Sequence, residues 1–186
     1  MTRFTAATAL LCLLGAAPVA LAADPAPSPY AGEQQRSIKA LSDKEVQDLL
    51  AGRGMGLAKS AELNRYPGPA HVLELSDRLD LSAEQKARTK AVFDAMEAQA
   101  RVLGKALVER EAELDRLFAS RQVTRAALES SLAEISKLQG ELRRVHLEAH
   151  LAQTDILTQG QVASYVELRG YGGMDHSGHG GGRRMH

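Results

Sequence analysis

The chain contains no proline between Pro69 and its last residue, 186. An interior proline removes a helix hydrogen bond and clashes with the preceding turn, so its absence permits very long helices. Within this stretch, apolar residues recur at alternating steps of three and four in two blocks, which predicts helices over Ala83 to Phe118 and Arg125 to Ile156. Two long helices with a short connection pack antiparallel, so we predict an all-α fold built on a helical hairpin.

The apolar seam of this hairpin is predicted to lie along one face of each helix. Its members are Val92, Met96, Ala100, Leu103, Leu107, Leu114 and Leu117 on the first helix, and Leu128, Leu132, Ile135, Leu138, Leu142, Val145, Ala149, Ala152 and Ile156 on the second. A hairpin of this length cannot bury both of its sides alone. We expect the N-terminal helices to cover one side, and the rest to be a dimer interface or an exposed concave surface.

Three helix starts carry a capping box, in which a hydroxyl and a Glu or Gln three residues later exchange hydrogen bonds with the backbone. The pairs are Ser42 with Glu45, Ser82 with Gln85, and Thr158 with Gln161. Together with the glycine and proline breaks they predict shorter helices on both sides of the hairpin. These predicted helices are Asp43 to Ala51, Leu57 to Asn64, Ala70 to Leu79, and Gln159 to Leu168.

The first residues predict export from the cytoplasm. Arg3 is the only charged residue before Asp24, and an apolar run from Ala6 to Ala20 leads to a small-x-small cleavage site ending at Ala22. A basic start, a short apolar core and small residues at the exit are typical of a cleaved secretory signal. We therefore predict a signal peptide over 1–22, a proline-rich linker over 23–36, a helical domain over 37–169 and a tail over 170–186, with no membrane span in the mature chain.

Composition excludes several classes of function. Cys12, inside the predicted signal, is the only cysteine, so the mature chain can form no disulfide and no cysteine nucleophile. Basic and acidic residues are balanced at 23 each, without the basic stripe that nucleic-acid binding requires. No catalytic motif is present, and the carboxylates are spread as helix-surface charges, so we predict that the protein is not an enzyme.

Two copies of a Leu-Ser/Thr-x-x-Gln motif bracket the predicted hairpin. They are formed by Leu81, Ser82 and Gln85, and by Leu157, Thr158 and Gln161. With the export signal and the helical context, the region from about Ser42 to Gly170 resembles the Spy/CpxP-like family of periplasmic proteins, which includes ZraP- and CnrX-type metal-binding members. The resemblance implies a four-helix subunit, often a cradle-shaped dimer, that acts without catalysis as a chaperone for unfolded envelope proteins, a stress-response modulator or a metal sensor.

A candidate metal site lies late on the second long helix. His146 and His150 are four residues apart, so their imidazoles project from the same face and can share one ion. By resemblance to the CnrX-type members, further ligands would come from the N-terminal helices, where His71 is the natural third ligand and Glu74 or Met55 could complete the set. The alternative is that both histidines are seam residues with ordinary hydrogen bonds.

The glycine-rich tail is a second candidate for metal binding. It carries His176, His179 and His186 together with Met174 and Met185. Imidazoles suit zinc, nickel or copper(II), whereas thioethers favour copper(I). A disordered solubilising tail is the alternative.

These observations predict a periplasmic binding protein of envelope stress or metal resistance. It would hold zinc, copper or nickel ions, unfolded segments of envelope proteins, or both, on a homodimer. One alternative is a heavy-metal sensor that signals to a membrane partner, and another is a structural helical adaptor with neither activity.

Overall fold

The computed structural model of the protein describes residues 28–172, so the predicted signal peptide and the tail histidines lie outside the described residues. Within that range the secondary structure is helical, and the one strand-like feature described is an isolated bridge between Ile38 and Leu41. The predicted all-α class is confirmed. No helix in the described part of the chain is long and apolar enough to cross a membrane.

Residues 28–32 form a turn, and the chain from Glu33 onward is a separate compact unit. That unit begins with a 3-10 turn at Glu33–Gln35. Its helices are, in chain order, α1 (Asp43–Leu50), α2 (Lys59–Glu62), α3 (Pro69–Glu74), α4 (Ala83–Ala119), α5 (Arg125–Thr154) and α6 (Gln159–Leu168).

The long helices agree with the predicted ones to within two residues at each end, whereas α2 and α3 are shorter than predicted. The predicted helix from Ala70 to Leu79 ends at Glu74, because the chain tightens there into turns, in which the N–H of Ser76 donates to the carbonyl of Leu73, three residues back, at 3.2 Å. The left-handed residue Asp80, with a φ of 48°, then ends these turns before α4.

Helices α4 and α5 form the predicted antiparallel hairpin. Near their connection, Nε of Arg110 lies 3.0 Å from Oε2 of Glu134, and at the opposite end Nε2 of Gln153 donates to Oγ1 of Thr89 at 3.2 Å. The partners run in opposite order along the two helices. The main core joins α1 to both helices of the hairpin and consists of Leu49, Ala100, Leu107, Ile135 and Leu142.

The predicted seam is wrong at two positions on α5, Leu132 and Ala152, which are both exposed. At the level of Leu132, the ion pair between Arg110 and Glu134 joins the two helices. Near the other end, the step of about 100° per residue turns Gln153 toward α4 in place of Ala152. Gln153 and its partner Thr89 are fully buried.

Capping boxes are present at Ser42, Ser82 and Thr158. The two motif glutamines also pair with each other, because Nε2 of Gln85 donates to Oε1 of Gln161 at 2.8 Å and Nε2 of Gln161 to Oε1 of Gln85 at 3.1 Å. This exchange joins the start of α4 to the start of α6. A second core lies beside it and is formed by Val72, Leu79, Leu81 and Tyr165.

The N-terminal helices cover part of the hairpin, as the sequence predicted, with α1 and α3 packed on α4 and α2 and α3 packed on α5. The approach of α1 is unusually close at Gly104, where a Cβ atom would stand 2.1 Å from the carbonyl oxygen of Leu49. Only glycine fits this position. The contact places the loop that follows α1 against the middle of α4.

Candidate metal-binding site

A cavity of about 450 Å³ lies between the α1–α2 loop, the start of α3, α4 and the second half of α5. Four predicted ligands line it together: Met55, His71, His146 and His150. The fifth, Glu74, is exposed at the end of α3 and does not line the cavity. The fold therefore gathers side chains that are up to 95 residues apart in the sequence, from Met55 to His150.

The loop over the cavity is held at both its backbone and its side chains. Gly52 has a φ of 70°, and a Cβ atom there would lie 2.9 Å from the carbonyl oxygen of Glu97 on α4. Arg53 donates from Nη1 to Oδ1 of the buried Asp48 at 2.8 Å, and Lys44 also donates to Asp48. The conformation of the loop is thus fixed by a glycine and by a buried carboxylate.

The imidazole of His146 is buried, and one of its ring nitrogens lacks a hydrogen-bond partner among the described residues. The side chain is 3% exposed, and the nitrogen that lacks this partner is Nε2. The opposite side of the ring faces Gly54, whose Cβ position would be 3.7 Å from Nδ1. Burial, aided by the neighbouring His150, lowers the pKa of His146 below its ordinary value. The ring is therefore neutral at neutral pH, the form that binds metals.

His150 is oriented by the backbone. Its Nδ1 atom lies 2.7 Å from the carbonyl oxygen of Tyr66, which can only accept, so the neutral ring carries its proton on Nδ1 and its lone pair on Nε2. A backbone carbonyl that fixes the tautomer in this way is the usual support of a metal-binding histidine. The free edge of the ring lies against Gly68, where a Cβ atom would stand 2.9 Å from Cε1.

Beside the histidines, Glu62 of α2 is the centre of a buried polar network. Its Oε1 atom accepts a hydrogen bond of 2.5 Å from the hydroxyl of Tyr165, and it lies 3.3 Å from Nδ1 of His71 and 3.5 Å from Nε of Arg169. Burial raises the pKa of Glu62, but the hydrogen bonds from His71 and Tyr165 and the charges of the nearby histidines outweigh it. The pKa is consequently lowered to about 2.

The second oxygen of Glu62, Oε2, is buried and has no hydrogen-bond partner in the described structure, although Nδ1 of His150 lies 3.7 Å away. The network thus connects the cavity on one side to α6 on the other. Tyr165 is fully buried, and its burial, together with its hydrogen bond to Glu62, raises its pKa. The hydroxyl therefore stays protonated and remains a donor.

Five further residues of this region were not predicted from the sequence: Glu62, Met96, Glu97, Tyr165 and Arg169. Met96 was assigned to the apolar seam, and the charged residues resemble ordinary helix-surface groups. One available signal was Tyr165, a large aromatic residue on α6 in a chain with only 4% aromatic residues. The sequence pattern around Glu62 gives no indication that this residue is buried.

No three His, Cys, Asp or Glu side chains between residues 28 and 172 are placed so that they alone could hold a metal ion. A metal ion in this cavity would therefore be bound by the two α5 histidines together with donors of another kind, or after a movement of His71 or Glu62 from the network. The tail candidates His176, His179 and His186 lie outside the described residues.

A family model described as heavy-metal resistance matches residues 49–164. The match covers more than half of the chain, including the loop over the cavity, both helices of the hairpin and both α5 histidines. Neither the search of curated proteins nor that of solved structures returned a match.

Proposed function

The chain belongs to the heavy-metal resistance family, which covers the Spy/CpxP-like proteins, and on this premise we propose that it binds a transition-metal ion in the cavity beside His146 and His150. The role is binding without catalysis. The family membership supports a function in heavy-metal resistance or sensing, and the cavity supplies a place for the ion.

One observation carries the proposal: the Nε2 atom of His146 is buried without a hydrogen-bond partner among residues 28–172. Leaving a buried polar atom unpaired costs about 1–3 kcal/mol, so such an atom in a folded protein calls for an explanation. A bound metal ion supplies the missing interaction. His150, one helical turn away with its tautomer fixed by Tyr66, supplies the second nitrogen.

Calorimetric titration of the protein with zinc, nickel and copper ions tests this proposal. The tail is silenced in the full-length chain by replacing its three histidines with alanine and Met174 and Met185 with leucine. We expect one stoichiometric site to remain in this background and to be lost in His146→Ala. Gln139→Ala, at an exposed position of the same helix, is the matched control and should bind as the background does. Equal binding by the His146 variant would reject the proposal.

A sensor is the second candidate, and the Glu62 network supports it. The carboxylate of Glu62 lies between His150 at the cavity and Tyr165 on α6. If an ion repositions His150, the nearby carboxylate of Glu62 moves as well, and its hydrogen bond with Tyr165 must adjust. Because Tyr165 lies on α6, this offers a route to a membrane partner through α6. Amide hydrogen exchange that slows or quickens in α6 when the ion binds supports the sensor, whereas unchanged exchange there favours simple binding.

We also propose that the protein acts in the periplasm as a homodimer. The support is the signal-like sequence up to Ala22 and the resemblance to dimeric family members. Cell fractionation with mass analysis of the purified protein tests the first part, and sedimentation tests the second. On the same resemblance we propose that the protein binds unfolded segments of envelope proteins. Suppression of the aggregation of a denatured client tests this, and failure to suppress it would remove this proposal.

A further inference from the structure

The cavity is larger than a metal ion requires. Its volume of about 450 Å³ lies within the range of pockets that hold whole small molecules, roughly 300–1,000 Å³. Several of its lining residues are glycine or alanine, which fill little space. An ion bound by His146 and His150 would therefore have room beside it for a further group of the size of a side chain.

The described residues leave such an ion short of ligands. No three His, Cys, Asp or Glu side chains in the range 28–172 could hold an ion as they are placed. His71 lines the cavity, but Oε1 of Glu62 lies 3.3 Å from its Nδ1 and Nη2 of Arg169 lies 3.4 Å from its Nε2. The unpartnered Oε2 of Glu62 lies 3.7 Å from Nδ1 of His150, and this nitrogen carries the proton, so the two cannot share an ion. Zinc usually takes four ligands, so positions remain open for other donors.

The end of α6 fixes where the tail begins. The helix ends in a Schellman motif, in which Gly170 has a φ of 73° and the N–H of Tyr171 bonds back to the last turn of the helix at 2.9 Å. The side chain of Tyr171 packs against the second core, and its hydroxyl accepts from Nη2 of Arg169 at 3.3 Å. Arg169 in turn lies against Glu62 and His71 of the cavity lining. The tail therefore starts one side chain away from that lining.

The tail carries nitrogen donors within reach of the cavity. His176 and His179 follow Gly172, the last described residue, by four and seven positions. An extended chain spans at most about 3.6 Å per residue, so their backbones reach up to roughly 14 and 25 Å from Gly172. The line of contacts from Tyr171 to His150 passes through the three side chains of the network in steps of 3.3–3.7 Å. The length of the tail is thus sufficient to bring an imidazole into the cavity.

From the open volume, the incomplete ligand set and the anchored start of the tail, we infer that the protein's own tail enters the cavity and supplies a ligand to the ion held there by the two α5 histidines. The ligand is an imidazole, from His176 or His179. This inference rests on the proposed function, since it adds a ligand to the proposed site. That site binds an ion without the tail, and binds it more tightly with the tail.

Competition titrations of zinc against a chromophoric chelator test the inference in the full-length chain. We expect the parent to bind one zinc ion at least roughly tenfold more tightly than the tail variant His176→Ala/His179→Ala, because even residues that only support a ligand change metal affinity by about 10–100-fold. His186→Ala, at the end of the same tail, is the matched control and should bind as the parent does. Equal affinity of the parent and the tail variant would overturn the inference and leave the proposed function intact.

A double-mutant cycle with His146→Ala distinguishes one shared ion from two independent sites. If the tail and α5 hold the same ion, the tail substitutions should lower the affinity much less once His146 is replaced, because groups that act on one ion are not additive. X-ray absorption at the zinc edge should then show at least three imidazoles in the parent and two in the tail variant. Additive losses, or two imidazoles in both proteins, would overturn the inference.

A second copy of the chain could offer its tail instead of the protein's own. Producing the His146→Ala variant together with the tail variant tests this, because each chain lacks what the other retains. We expect that tight zinc binding is not restored in this mixture. Restored tight binding would assign the ligand to the tail of a second copy and overturn the inference, with the proposed function intact. Zinc binding that His146→Ala leaves unchanged in every background would overturn both.

Discussion

At the scale of single residues, the environment of the Glu62 carboxyl group in the fold differs strongly from that in the unfolded chain. Its carboxylate is buried, yet its pKa is lowered to about 2, because the hydrogen bonds of His71 and Tyr165 outweigh the effect of burial. In the unfolded chain its pKa returns to the ordinary value of 4.5. The ionised carboxylate therefore stabilises the fold fully above that value, and the contribution is lost as the pH falls toward 2.

We predict that Glu62→Gln removes this pH dependence. The free energy of unfolding of the parent protein should fall between pH 4.5 and pH 2 more steeply than that of the variant, because the unfolded chain takes up a proton that the folded chain does not. Urea unfolding at a series of pH values measures both slopes. Glu129→Gln, at an exposed position on α5, is the control and should keep the slope of the parent. Parallel slopes for parent and Glu62→Gln would contradict the assignment.

The sequence predicted the histidine pair on α5 because helical spacing alone brings His146 and His150 to one face. It could not predict Glu62, since the burial of this residue depends on the short helix α2 and on Tyr165, which lies 103 residues later in the chain. Glu74, the carboxylate suggested by its position three residues after His71, is exposed in the fold and does not line the cavity.

At the scale of elements, the pairing of Gln85 with Gln161 joins the starts of two helices, although each start already carries its own capping box. Each glutamine caps its own helix and also reaches across, since Nε2 of Gln85 donates to the carbonyl of Ile156 at 3.0 Å and Nε2 of Gln161 to that of Leu79 at 3.1 Å. The repeated motif therefore fixes α6 against α4. The sequence predicted the caps but not the contact, because no pattern in the residues around either motif indicates that the two helix starts meet.

A double-mutant cycle tests this coupling. We expect Gln85→Ala and Gln161→Ala each to lower the free energy of unfolding by about 1–3 kcal/mol, through lost caps and unpaired carbonyls. The double variant should lose less than the sum, with a coupling of at least about 0.5 kcal/mol, because the second substitution removes a partner that is already gone. Strict additivity would show that the motifs act as separate helix caps.

The contact between α1 and α4 makes a second prediction at this scale. Gly104→Ala should destabilise the protein by about 1–3 kcal/mol, because the added methyl group meets the backbone carbonyl of Leu49, which cannot move without lifting α1. Gly140→Ala on α5 is the matched control, since its Cβ position is open and alanine favours the helix by about 1 kcal/mol. Thermal unfolding that shifts both variants in the same direction would contradict this packing.

Some of the helix boundaries could be predicted from the sequence, and others could not. The ends of α4, α5 and α6 follow from capping residues and from the absence of proline, and they were predicted closely. Helices α2 and α3 end earlier than predicted, because the N–H groups of Asn64 and Ser76 donate to carbonyls only three residues back, and no glycine or proline in the sequence marks these turns. In the hairpin, Gln153 faces α4 at the position predicted for Ala152. Its buried hydrogen bond with Thr89 takes the place of apolar packing there.

At the scale of the whole molecule, the proposed site lies where elements from both ends of the unit meet. Loop α1–α2, α3, α4 and α5 all contribute to the cavity, so it exists only in the folded protein. An ion that binds only the folded state must stabilise it. At a free concentration of 100 times Kd the gain is about 2.7 kcal/mol, which corresponds to roughly 5–10 °C in Tm for a chain of this size.

We predict such a rise in Tm for the tail-silenced chain in the presence of the bound ion, and its loss in His146→Ala. Differential scanning calorimetry at several ion concentrations gives the dependence directly. A shift that survives the substitution would place the ion elsewhere in the folded unit.

Anomalous diffraction from crystals of the protein prepared with copper(I), and separately with nickel, would locate the ion itself. A metal ion held by the two α5 histidines gives a peak at about 2.1 Å from a ring nitrogen of His146 and from Nε2 of His150. Such a peak inside the cavity is the result predicted here. An empty cavity with the peak at Glu74, at the tail histidines or at no site would contradict the account.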